Sequence, residues 1–162
     1  MDVNDIRFDR EGYRFQLRAG AVIVEDGCVL LAKTDAADYY YSVGGAAHMG
    51  ETTEQAVERE VFEETGIDYK VERLVFVHEN FFVDEAVSKG VRFHEISFYY
   101  LMKPCGKHKI NKESLGSVGR ETMHWIPVCE LKNHKVFPEF LTEEVLCDLS
   151  DVRHFVTNDI TE

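Results

Sequence analysis

The stretch Gly45–Ile67 reads GAAHMGETTEQAVEREVFEETGI. Four glutamates, Glu58, Glu60, Glu63 and Glu64, stand within seven residues of one predicted helix, and Glu51 lies just upstream. Like charges one turn apart on a helix repel by about a few tenths of a kcal/mol per pair, so such crowding calls for a purpose. The helix itself is well marked. Thr52 suits an N-cap with Gln55 three residues on, a capping-box arrangement, and Ala56, Val57, Val61 and Phe62 carry the apolar side. Gly66 falls where a left-handed residue ends a helix.

Positions i, i+3 and i+4 share a helix face, so Glu60, Glu63 and Glu64 project the same way. Hard dications such as Mg²⁺ take oxygen ligands in near-octahedral geometry. Carboxylates on a rigid helix, with a backbone carbonyl nearby, meet that demand. Gly44 and Gly45 let the backbone turn sharply and approach a ligand closely, and Arg59 offers a positive charge to Glu51 or a helix carboxylate. The competing reading is a solvated acidic face, which is what most charge runs are. The whole pattern outweighs it. The stretch spells G-x5-E-x7-R-E-U-x-E-E-x-G-U, with U aliphatic, at Gly45, Glu51, Arg59, Glu60, Val61, Glu63, Glu64, Gly66 and Ile67. At ordinary residue usage a chance match is on the order of one in a million per chain.

This pattern resembles the Nudix box of the Nudix (MutT-like) hydrolases at every defining position, over 23 of the 162 residues. A later E-x3-W-x-P-x2-E-L segment (Glu121, Trp125, Pro127, Glu130, Leu131) is also similar to that family; Val43, where many members have proline, departs from it. The resemblance implies an α/β/α sandwich around a mixed β-sheet. It further implies a Mg²⁺- or Mn²⁺-dependent hydrolase of nucleoside diphosphates linked to another moiety, acting by water attack at phosphorus. Carried over residue by residue, Glu60, Glu63 and Glu64 are metal ligands, with Gly44 lending its carbonyl. Glu60 and Glu63 also stand as catalytic candidates, one of them acting through a metal-bound water, while Arg59 and Glu51 form a salt bridge that orients the ligands. Members often recruit one more glutamate as ligand or general base; Glu121 is the first choice and Glu95 the second. The alternative is a non-catalytic, nucleotide-sensing Nudix module, which would have no need of every carboxylate. The resemblance also allows a homodimer. The proline that ADP-ribose cleavers often carry well after the box is replaced here by Phe81-Phe82-Val83.

Outward from the box, the order reads as strands, helix, strands, helices, which fits helices on both faces of a mixed sheet. Two apolar runs within Arg14 to Lys33, split by Asp26-Gly27, read as a hairpin. A short strand spans Tyr41 to Val43. Long β-type stretches cover Lys70 to Val83 and Val91 to Lys103; the second is apolar on both faces, as in a central strand covered on both sides. Pro104 to Gly119 reads as a polar loop, Glu121 to Ile126 as a strand and Pro127 to Leu131 as a turn and helix. A second helix is expected over Pro138 to Leu149, and a last strand over Val152 to Thr157.

Length suits one domain spanning residues 1–162. The composition, 44% apolar and 12% aromatic, is globular. Acidic residues outnumber basic ones, 30 against 18, for a formal charge of −12. That argues against nucleic acid and anionic membrane surfaces as partners, yet an acidic protein binds phosphates when a cation stands between. The N-terminus resembles neither a signal nor a transit peptide, and no apolar window reaches membrane-spanning length, so the expected location is cytoplasmic. Cys28, Cys105, Cys129 and Cys147 lack metal-type spacing and read as small buried hydrophobes in a reducing compartment. His48, in the box, and His94, beside Glu95, are candidates for substrate contact, with a satisfied structural histidine as the alternative. The aromatics Tyr39, Tyr40, Tyr41, Phe81, Phe82 and Phe93 offer a base-stacking pair. The basic run Lys103 to Lys112 offers guidance for an anionic substrate, against the default of a solvated loop.

Overall fold

The computed structural model describes residues 4–85, 88–106, 113–116 and 119–160. Two mixed sheets form the middle of the molecule. The first contains β1 (Arg7–Arg10), β2 (Tyr13–Val22), β6 (Gly44–Ala46), β7 (Val71–Asp84), β8 (Val91–Met102) and β12 (Arg153–Asn158). Its order is β1-β2-β8-β7-β12, with β6 also paired to β2. β2 runs parallel to β8, and β12 parallel to β7; the other pairs are antiparallel. The second sheet contains β3 (Val24–Glu25), β4 (Cys28–Thr34), β5 (Tyr40–Ser42), β9 (Glu113–Gly116), β10 (Gly119–Pro127) and β11 (Val136–Phe137). Its order is β11-β5-β4-β10-β9, with β3 on β4. As its two-sided apolar pattern predicts, β8 is central, between β2 and β7.

One helix layer is α1 (Thr53–Thr65). It buries Ala56, Val57 and Val61 against Ala19, Ala21, Ile23, Leu30, Ala32, Val43, Tyr100, Met102 and Met123. Thr52 accepts from the Gln55 N–H and Gln55 returns the bond, the capping box its sequence predicts; Gly66, at φ 74°, closes the other end. Phe62 differs from expectation. It lies a step round the helix from the Ala56–Val57–Val61 side and is 52% exposed. The opposite layer is a 3-10 helix, Val128–Asn133, and a single turn, α2 (Leu141–Glu144). These cover a second apolar cluster that includes Val22, Val29, Leu31, Val75, Phe76, Tyr99 and Ile126. The whole is an α/β/α sandwich.

Three further expectations need correction. The helix foreseen over Pro138 to Leu149 shrinks to Leu141–Glu144, because its N-terminus has no side-chain cap and Leu146 already faces solvent. Beyond it the chain turns at Asp148, whose carboxylate accepts from the Ser150 N–H. Pro104 to Gly119 is not all loop: β9 pairs with β10, a tertiary partner that local polar composition does not announce. The cysteines are free, but Cys105, Cys129 and Cys147 are exposed rather than buried, each near an element's end. The N-terminal hairpin β1–β2 was not foreseen either; its turn residues Glu11 and Gly12 have φ of 51° and 82°, the geometry that favours tight hairpins. The Asp26-Gly27 hairpin forms as read. Most of the basic run Lys103 to Lys112 lies outside the described residues. Among those described, no helix is long and apolar enough to cross a membrane.

Candidate functional site

The site forms where α1 faces the Gly44-Gly45 turn and the second sheet. Gly44 has φ 142°, and a Cβ there would stand 2.2 Å from the Ala19 carbonyl oxygen, so only glycine fits. A Cβ on Gly45 would stand 2.5 Å from the Glu60 carboxyl carbon. The glycine pair is therefore the floor on which Glu60 rests.

Arg59 organises the rim. Its Nε and Nη2 donate to the two oxygens of Glu51 at 2.8 and 3.0 Å, and Nη2 also donates to the Ala46 carbonyl at 3.0 Å. Nη1 donates to Glu60 at 2.5 Å and reaches Glu63 at 3.4 Å. The Arg59 hydrogen bonds hold the Glu51 carboxyl below the usual carboxylate range, and they push the Arg59 guanidinium up. The expected Arg59–Glu51 salt bridge is thus present, fastened further by the His48 backbone N–H at 2.8 Å.

The four helix glutamates separate by role. Glu58 accepts from Lys70 and from the Val71 N–H, both at 3.0 Å, and ties α1 to the start of β7. The Glu63 side chain is 57% exposed. Glu60 and Glu64 point inward, and burial raises both carboxyl pKa values, Glu64 well above the ordinary 4.5. For Glu64 the charges of Glu121 and Glu60 add to burial, opposed by Arg18 and by the Gly44 N–H. Its Oε2 is buried without a hydrogen-bond partner.

Glu121, buried on β10, joins Glu64 from the sheet side, and the Tyr41 hydroxyl donates a hydrogen bond to its Oε2. Burial first, then that bond and the nearby charge, push the Tyr41 phenol up, so it remains a donor. The second candidate, Glu95, is differently placed. Gln16 donates to one of its oxygens at 2.8 Å and Ser97 to the other at 2.9 Å. The His48 ring faces Asp5 at 3.5 Å, and His94 sits in an aromatic row with Phe15 and Phe81; these contacts fit the structural reading of both histidines.

Two participants escaped sequence reasoning. Arg18 donates to the Ser42 hydroxyl (3.1 Å), the Ser42 carbonyl (2.9 Å) and the Gly44 carbonyl (3.3 Å). It feels the charges of Glu95, Glu64 and Glu60. A lone cation within the strand sequence QLRAGAVIV was the available signal. The second is the Tyr41 hydroxyl, whose reach across to Glu121 needs the strand register. Of the aromatics, Tyr39 stacks edge-on with Tyr41 at 6.2 Å and with Phe137 at 5.0 Å, under the Lys135 ammonium. This wall begins at the carboxylates and runs outward.

The donor set suits a hard dication: grouped carboxylates, a buried carboxylate oxygen lacking a partner and a glycine floor. Among the described residues no three acidic, His or Cys side chains converge tightly as they stand, since Arg59 engages Glu60 and Glu63 turns outward.

The model of the NUDIX domain matches residues 14–144. The chain is 40% identical over 88 residues to a MutT-like protein of Streptomyces ambofaciens, 54% of this chain and 51% of that one, so the match spans about half the relative's length. A crystal structure of the mutator MutT protein of Bacillus halodurans superposes with a TM-score of 0.62 at 20% identity, covering 89% of this chain and 91% of that one. A MutT NUDIX hydrolase of Burkholderia pseudomallei gives 0.50 at 27% identity, covering 71% and 84%. With the family model spanning most of its length, this chain belongs to the NUDIX domain family.

Proposed function

We propose that the chain, read as one unit over residues 1–162, is a Mg²⁺- or Mn²⁺-dependent hydrolase that cleaves the phosphoanhydride of a nucleoside diphosphate linked to another moiety. The observation that carries this reading is the buried, partnerless Glu64 Oε2, which feels the charges of Glu121 and Glu60. Glu60, Glu63 and Glu64, with the Gly44 carbonyl, would hold the cation. Bound there, it supplies charge neutralisation on the diphosphate and acidifies water. Arg59 and Glu51 keep Glu60 oriented. Arg18 brings a positive charge that Glu64 and Glu60 feel, suited to phosphate oxygens. Glu121 accepts the proton of the attacking water, and its charge interaction with Glu64 favours it over Glu95. The Tyr39–Phe137 wall under Lys135 suits a flat base.

The test is nucleotide or phosphate release from a panel of nucleoside diphosphate derivatives with Mn²⁺. Turnover of at least one, lost on chelation, is expected. Binding of the same compounds without release would favour the nucleotide-sensing alternative, whose one structural support is the grip of Arg59 on Glu60.

A further inference from the structure

We propose that Tyr41 is a positioning residue, its hydroxyl holding Glu121 in the orientation that hydrolysis requires and its ring joining that carboxylate to the aromatic wall. The inference rests on the hydrolase reading and on Glu121 as proton acceptor.

Tyr41 lies on β5 and Glu121 on β10, with β4 between them. Ala32 of β4 faces Tyr41 on one side and Met123 on the other, while Thr34 faces Glu121. Side chains alternate along a strand, so Tyr41, Ala32, Met123 and Glu121 share one face of the sheet. That face is covered by α1: Ala32 and Met123 belong to the cluster under Ala56, Val57 and Val61, and Tyr41 packs against it. The phenol therefore lies across β4, with its hydroxyl on Glu121 Oε2.

Glu121 is buried on the sheet face under α1, and its side chain has three rotatable bonds that a donor on one oxygen restricts. The Tyr41 donor holds it where the proton must be taken. The same ring meets Tyr39 at 6.2 Å, and Tyr39 meets Phe137 at 5.0 Å. A flat group seated on the wall thus bears on the residue that sets the carboxylate's orientation.

The experiment is a double-mutant cycle with Tyr41→Phe, which keeps the ring and removes only the hydroxyl, and Glu121→Gln. Rates are measured on the best panel substrate in excess Mn²⁺. Tyr41→Phe should lower kcat roughly ten- to a hundredfold, the range of a hydrogen bond to a charged group, with KM changed less than about twofold. In the Glu121→Gln background the same substitution should change kcat less than about twofold, because the hydroxyl acts through that carboxylate. A crystal structure of metal-free Tyr41→Phe should show the Glu121 side chain turned to a new rotamer. An unchanged kcat, an equal loss in both backgrounds, or Glu121 unmoved in the variant would each overturn the proposal. Wild-type rates in Glu121→Gln would overturn it too while leaving the hydrolase reading intact. A wild type that turns over nothing on the panel removes that reading, and the proposal with it.

Discussion

Glu64 sits beside Glu60 and Glu121 with one oxygen lacking a donor, and its raised pKa has a thermodynamic consequence. A carboxyl whose folded pKa exceeds its unfolded value of about 4.5 stabilises the fold at lower pH, and that contribution is lost as pH rises through the folded pKa. Metal-free Glu64→Gln should therefore melt above the wild type at pH 7, lose that advantage near pH 4, and have no turnover. Circular dichroism melts at both pH values check this; a variant that melts below the wild type at pH 7 contradicts it. Gly45→Ala should act through Glu60, whose carboxyl carbon would lie 2.5 Å from the new methyl. The expected outcome is at least a tenfold loss of kcat/KM, about 1.4 kcal/mol of barrier, read in steady-state assays. Helical spacing made Glu60, Glu63 and Glu64 legible as a set, but it could not tell that Glu63 turns to solvent or that Glu58 is spent on Lys70 and Val71. Glu121 was reached through family resemblance. Arg18 and the Tyr41 hydroxyl were hidden because their partners come from strands distant in sequence.

At the scale of elements, α1 was legible end to end, since its signals are local: Thr52 and Gln55 at the start, Gly66 at the stop. Thr52→Ala should cost about 1 kcal/mol and lower the melting temperature by roughly 2–4 °C, with kcat nearly preserved. The Asp26-Gly27 hairpin was equally plain. Elements that depend on a distant partner were not. β9 exists by pairing with β10, and the single turn of α2 is held by Leu141 packing into the second cluster rather than by any cap. The aromatic wall spans two such elements, Tyr39 beside β5 and Phe137 on β11. Removing one ring, in Tyr39→Ala, should raise KM for a nucleobase-bearing substrate roughly ten- to a hundredfold, the range of one stacked base, while kcat moves less. A substrate series with and without the base reads that split.

Across the whole molecule, strand order and helix placement bring glutamates of α1 and β10 to one side of the sandwich in a chain whose formal charge is already −12. The sandwich that the alternation of elements predicts is the one observed, and the second apolar cluster closes its other face with shorter helices than the sequence led one to expect. That face also holds a buried histidine. His78 is buried, bonded to Thr157 at 2.9 Å, and burial lowers its pKa from 6.5 to about 4. A histidine with a depressed folded pKa stabilises the fold above 6.5, and that contribution is lost as pH falls from there toward 4. Its NMR resonances should stay in the neutral form at pH 5.5, where an ordinary histidine is mostly charged. The claim on which the rest depends is that the crowded carboxylates hold dications. Anomalous diffraction from crystals grown with Mn²⁺ tests it most directly. The account predicts a manganese peak bonded to Glu60 and Glu64, with Glu60 drawn away from Arg59. Saturating Mn²⁺ with no peak there, and Glu60 still on Arg59, would contradict it.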